Sequence, residues 1–176
     1  GNIYYIQGNC KEAIELYKSV NAVYAKTYGK NHFQYATLQI NWANAYRDMQ
    51  RFRKAKTLYK QGIQILEKMK ATYPIYYADA VQSLARLYYD QSQYSESESK
   101  YKLALNIYET SKTTNSIGYL ECLNSLGNVY VAKANYSKAK EYYNQVQKLS
   151  KTILPKHHQK LLEYSSSLAA LYNAQG

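Results

Sequence analysis

Cysteine, proline and carboxylate side chains are scarce in this chain, and so are the patterns that mark membranes and active sites. No apolar run exceeds a few residues, which excludes a transmembrane span, and no signal-peptide pattern is visible. No phosphate loop, nucleophile elbow or His-Glu-x-x-His helix occurs. His157 and His158 are adjacent in a turn led by Pro155, and His32 sits in another connection, so the three histidines lack the spacing of a zinc site. Catalysis needs convergent groups with shifted proton affinities, and the sequence presents none. The expectation is a non-catalytic chain with no cofactor and no metal. Glu96 and Glu98 read as carboxylates favouring the positive end of a helix dipole.

Acidic residues number 12 against 23 Lys and Arg, a net charge of +11. The excess gathers in Arg51, Arg53, Lys54, Lys56 and Lys60, and again in Lys133, Lys138, Lys140, Lys148 and Lys151. Solvated lysines on an outer edge are ordinary. An RNA-reading repeat protein would place its basic residues on the same repeated face that contacts the bases. These do not coincide with one, so nucleic acid is disfavoured as a partner.

What the chain has in abundance is tyrosine, 23 of them, and they are phased. Tyr4, Tyr46, Tyr88, Tyr130 and Tyr172 are each separated from the next by 42 residues. A period of about 20 to 50 residues marks stacked supersecondary units, none able to bury its apolar face alone. Other columns keep the period. Small residues stand three places earlier at Gly1, Ala43, Ala85, Gly127 and Ala169, and Trp42, Leu84, Leu126 and Leu168 precede those. Downstream, Tyr17, Tyr59, Tyr101 and Tyr143 form a second aromatic column, followed by Val20, Gly62, Ala104 and Val146, then Val23, Ile65, Ile107 and Leu149. With Ala13, Ala55 and Ala139 one turn ahead, this is the stripe of an amphipathic helix.

Each repeat therefore contains two helices. Punctuation places first helices near 33–50, 75–92 and 117–134, and second helices near 52–70, 94–112 and 136–153. Polar turns such as Gly8-Asn9, Gln91-Ser92-Gln93 and Lys133-Ala134-Asn135 join the pair, and both prolines, Pro74 and Pro155, fall between repeats. The chain reads as one domain over 1–176, with repeats at 1–32, 33–74, 75–116, 117–158 and a partial one at 159–176. Gly1 enters midway through a first helix and Gly176 stops at the close of another, which suggests a segment of a larger protein. Cys10 and Cys122 fall several helix layers apart, at about 8 to 10 Å each, beyond disulfide reach. Cys122 reads as core packing, and free thiols lean toward a reducing compartment, the cytoplasm.

The pattern Leu126-Gly127-x-x-Tyr130, then Tyr136, Ala139, Tyr143 and Val146, resembles the tetratricopeptide repeat. The period of 42 and the connection Gly29-Lys30-Asn31-His32-Phe33-Gln34-Tyr35-Ala36 resemble the longer variety of kinesin light chains. Similar arrays occur in bacterial multidomain proteins carrying caspase-like CHAT protease domains. The resemblance implies an all-α fold, a right-handed α–α superhelix of antiparallel helix pairs with first helices lining a concave groove. It implies a protein-binding scaffold, or as an alternative the regulatory arm of a CHAT protease. In register, the polar positions of that face are Asn2, Asn44, Arg86 and Asn128, with Ala170 ending the row. Tyr5, Arg47, Tyr89 and Val131 form a second row, adjoined by Asp48 and Asp90, and Asn41, Gln82 and Asn124 stand one turn earlier. Asparagine offers a donor and an acceptor on a short stem, suited to the main chain of an extended peptide. The expected peptide-binding set is thus Asn41, Asn44, Arg47, Asp48, Gln82, Arg86, Tyr89, Asp90, Asn124 and Asn128.

Overall fold

A computed structural model describes residues 1–175, with side chains to 173; the expected chain end at Gly176 lies outside the described residues. Among the described residues there are nine helices and no strand. First helices of the repeats are α1 (Asn2–Ile6), α3 (Phe33–Asp48), α5 (Pro74–Asp90), α7 (Ile117–Ala132) and α9 (Gln159–Gln175). Second helices are α2 (Cys10–Tyr28), α4 (Phe52–Lys68), α6 (Tyr94–Thr110) and α8 (Tyr136–Ile153). The expected bounds hold to within two residues at each end. The chain divides into two units, Gly1–Leu87 and Tyr88–Gly176. In the first, α1 packs on α2, α2 on α3 and α3 on α4; in the second, α7 packs on α6, α8 and α9.

The turn inside each repeat is built the same way four times. Gly8, Gln50, Ser92 and Ala134, again 42 residues apart, adopt φ of 80°, 57°, 58° and 55°. Each follows a first helix as its left-handed C′ residue. The next amide donates back to the carbonyl of the tyrosine column: Asn9 to Tyr4, Arg51 to Tyr46, Gln93 to Tyr88 and Asn135 to Tyr130, at 2.8 to 2.9 Å. The C′ amide itself donates to Tyr5, Arg47, Tyr89 or Val131. This double bond pattern is the Schellman motif, which satisfies carbonyls left over at a helix end. Three of the four left-handed positions are not glycine, so the sequence gives little sign of them.

First helices begin on a second column. His32 Nδ1 accepts from the Gln34 amide, Ser116 Oγ from Tyr119 and His158 Nδ1 from Lys160, at 3.2 to 3.3 Å. Two of the three histidines are therefore helix caps, filling a place usually given to Ser, Thr, Asp or Asn.

The core consists of the phased columns. Tyr17, Tyr59, Tyr101 and Tyr143 are buried, as are Ala13, Ala55 and Ala139. Tyr46, Tyr88 and Tyr130 are buried too, while the terminal members Tyr4 and Tyr172 are 42% and 47% exposed. Gly127 lets α7 and α8 approach closely: a Cβ there would lie 2.7 Å from Tyr143 Cδ1. Cys122 is fully buried and Cys10 half-buried, both as free thiols.

Glu98 departs from the expected dipole role. It stands past the first turn of α6 and binds Lys102 Nζ at 2.7 Å, Lys133 Nζ at 2.6 Å and the Tyr130 hydroxyl at 2.8 Å. Burial alone would raise its carboxyl, but hydrogen bonds from Lys102, Lys133 and Tyr130 outweigh it and hold the group at about 2. Lys133, expected on a solvated edge, is part of this clasp between α6 and α7.

Candidate functional site

The asparagine row is braced from behind. Tyr17 donates its hydroxyl to Asn2 Oδ1 at 2.7 Å, Tyr59 to Asn44 Oδ1 at 2.5 Å and Tyr143 to Asn128 Oδ1 at 2.5 Å. Each bond spans 15 residues, from the second helix of a repeat to its own first helix. Burial pushes the hydroxyls of Tyr17 and Tyr143 up to about 12, so they remain donors at physiological pH. An asparagine whose carbonyl is held this way presents its amide nitrogen in a fixed direction. Asn44 and Asn128 are half-buried, and neither Nδ2 has a hydrogen-bond partner among the described residues. Both columns are visible in the sequence; the pairing between them is a contact between helices that the sequence does not display.

In the first unit, the second row is closed on itself. Arg47 donates to Asp48 Oδ1 through Nε at 3.0 Å and Nη2 at 2.7 Å, and Tyr5 donates to Asp48 Oδ2 at 2.7 Å. Burial raises the Tyr5 hydroxyl first, with the bond to Asp48 adding to it, to about 12. Burial would lower Arg47, but Tyr59 and Asp48 hold it above its usual value. Asn41 is half-buried and donates to Asn2 Oδ1 at 3.3 Å. Gln82 is half-buried and Arg86 exposed, both on α5.

In the second unit, Tyr89 and Asn128 come together. They border a cleft of about 430 Å³ with Val131, Tyr143 and, from α9, Glu163, Ser166, Ser167, Ala170 and Leu171. The α9 members were not among the expected residues apart from Ala170. Asp90 is exposed at the end of α5. Asn124 lies deeper than expected, 6% exposed and with Oδ1 lacking a partner. On the same helix Glu121 is met from α9 by Lys160 at 2.6 Å.

Charge is sorted between the two helix sets. First helices hold the cations Arg47, Arg86 and Lys160 and the carboxylates Asp48, Asp79, Asp90, Glu121 and Glu163. The net +11 therefore comes wholly from second helices and turns. Among them, Arg51, Arg53 and Lys54 border a cleft of about 490 Å³ where α4 begins. Among the described residues, no three His, Cys, Asp or Glu side chains converge to hold a metal ion. No helix there is long and apolar enough to cross a membrane.

The sequence matches the family profile described as Tetratricopeptide repeat over residues 1–68 and 77–152. Among solved structures, it is similar to a crystal structure from Podosopora anserina described as a kinesin light chain with nearly identical TPR-like repeats. The TM-score is 0.79 and the identity 25%, covering 99% of this chain and 82% of that one. BtubC (BKLC) from P. vanneervenii matches with a TM-score of 0.77 at 17% identity, over 96% of this chain and 65% of that one. The apo form of RapI matches with a TM-score of 0.80 at 13% identity, over 98% of this chain and 46% of that one. The likeness establishes an α–α solenoid of helix pairs. No curated protein matches the sequence.

Proposed function

Because the chain belongs to the tetratricopeptide repeat family, whose members generally serve as non-catalytic protein–protein interaction scaffolds, we propose that it binds an extended peptide segment along its first helices. The observation that carries this reading is the tyrosine brace. A side-chain amide whose carbonyl is held by a buried hydroxyl, and whose N–H groups make no hydrogen bond within the fold, is pre-organised to donate to a peptide carbonyl. Asn44 and Asn128 have this arrangement, one in each unit.

Alanine at these positions would leave buried tyrosine hydroxyls unpaired and confuse folding with binding. Aspartate keeps an acceptor oxygen for the tyrosine and removes the donor. The test is selection of a phage-displayed random peptide library on the immobilised chain, in parallel with the Asn44→Asp and Asn128→Asp double variant. Enrichment on the parent chain and its loss on the variant, with far-UV circular dichroism unchanged, is the expected result. Equal enrichment on both, or none on the parent, would overturn the proposal.

A further inference from the structure

In the unit Tyr88–Gly176, the cleft between α7 and α9 has one donor wall and one acceptor wall. On the α7 side, the Asn128 carbonyl is occupied by Tyr143, which leaves its amide nitrogen as the group offered. On the α9 side, Ser166 and Ser167 send their hydroxyl protons to the carbonyls of Leu162 and Glu163, at 2.9 and 3.2 Å. Their oxygens keep only acceptor capacity, and the Glu163 carboxylate stands beside them.

The charge on this face has the same sense. The only cation of α7 and α9 among the described residues is Lys160, and it is engaged by Glu121 at 2.6 Å, with Glu163 more distant at 3.6 Å. Glu163 keeps 58% of its side-chain surface exposed. The first-helix positions of this unit carry Asp90, Glu121 and Glu163 against that one lysine, whereas α8 alone carries Lys138, Lys140, Lys148 and Lys151 against Glu141. An anionic side chain lying along the α9 wall meets acceptors and no uncommitted cation. A cationic one meets a carboxylate and two hydroxyl oxygens, and is repelled by the α8 side of the unit.

We infer, building on the peptide-binding reading above, that this cleft selects an extended peptide bearing a lysine or arginine. The peptide carbonyl takes the Asn128 amide, the cationic side chain lies along the Glu163, Ser166 and Ser167 wall, and a small apolar neighbour rests on Val131 and Ala170. Arginine suits the wall better than lysine, because its planar fork supplies several donors to several acceptors at once.

The test uses fluorescein-labelled nonapeptides alike except for a central Arg, Gln or Asp, titrated against the whole chain by fluorescence anisotropy. The Arg peptide should bind about tenfold tighter than the Asp peptide, attraction acting on one and like-charge repulsion on the other. Glu163→Gln should reduce that preference by about twofold to fivefold, the range for a partly exposed ion pair, and Glu163→Lys should reverse it. Asn128→Ala combined with Tyr143→Phe, which removes the amide without leaving a buried hydroxyl unpaired, should weaken all three peptides alike. Binding that depends on Asn128 but is indifferent to the central charge overturns the cationic selectivity and leaves the peptide reading standing. Binding of none of the peptides, at any charge, overturns both.

Discussion

Ala134→Gly should make the protein more stable, although it deletes a side chain and adds no contact. Ala134 is held at φ of 55° by two backbone bonds, its own amide to Val131 at 2.9 Å and the Asn135 amide to Tyr130 at 2.8 Å. Neither bond uses the side chain, so both survive substitution. A Cβ in the left-handed region costs about 1–2 kcal/mol. Glycine returns that energy but loses about 0.5–1 kcal/mol through the greater freedom of the unfolded chain. The difference favours the variant by about 0.5–1 kcal/mol, which for a chain of this size raises the thermal midpoint by about 1–4 °C. Urea and thermal unfolding followed by circular dichroism measure it. Two controls fix the sign. Gly8→Ala reverses the change in the same column, and because nothing lies within 4 Å of the added Cβ its loss is purely conformational. Ala22→Gly, at an exposed interior position of α2, should lower stability by about 0.5–1 kcal/mol. A midpoint for Ala134→Gly that falls, or moves with that of Ala22→Gly, would refute the left-handed assignment and the shared turn.

Tyr143→Phe should lose about 0.5–1.5 kcal/mol, the net worth of an intramolecular hydrogen bond, and a double-mutant cycle with Asn128→Ala should show the two side chains coupled; additive losses would deny the brace. Gly127→Val should lose about 1–3 kcal/mol by overpacking against Tyr143, read as a lower urea midpoint, and a neutral result would place α7 and α8 further apart. The Glu98 carboxyl, held at about 2 against an ordinary value of 4.5, is depressed in the folded state, so its contribution is complete above about 4.5 and is lost as pH falls toward 2. Glu98→Gln should remove that part of the acid dependence in pH-resolved unfolding, and an unchanged slope between those pH values would show that the clasp is not formed in solution.

The helix pairs were legible because burial imposes residue type: a column facing a neighbouring helix every 42 residues must stay small or apolar, and that constraint shows in one sequence. Turns were legible at Gly8, Ser92 and Ala134, but the left-handed backbone shared by Gly8, Gln50, Ser92 and Ala134 had a sequence sign only at Gly8, since backbone hydrogen bonds force the conformation whatever side chain is carried. His32 and His158 read as loop residues because capping by Nδ1 depends on geometry alone. At the candidate site, the rows of Asn44, Arg47 and Asn128 could be placed on a face, but whether a polar group is already engaged depends on contacts between helices. Hence Arg47 and Asp48 turned out to bind each other, Asn124 lay buried, and Glu163 entered the cleft from a helix whose register alone carried no sign of it.

Each tyrosine brace joins the two helices of a single repeat. The group that poses an asparagine and the asparagine itself are thus always copied together when a repeat is duplicated, and always lost together when one is deleted. Arrays assembled from such units can lengthen, shorten or exchange repeats during evolution while every transferred copy arrives with its recognition side chain already aimed, which makes this a natural unit for grafting binding specificity from one scaffold to another.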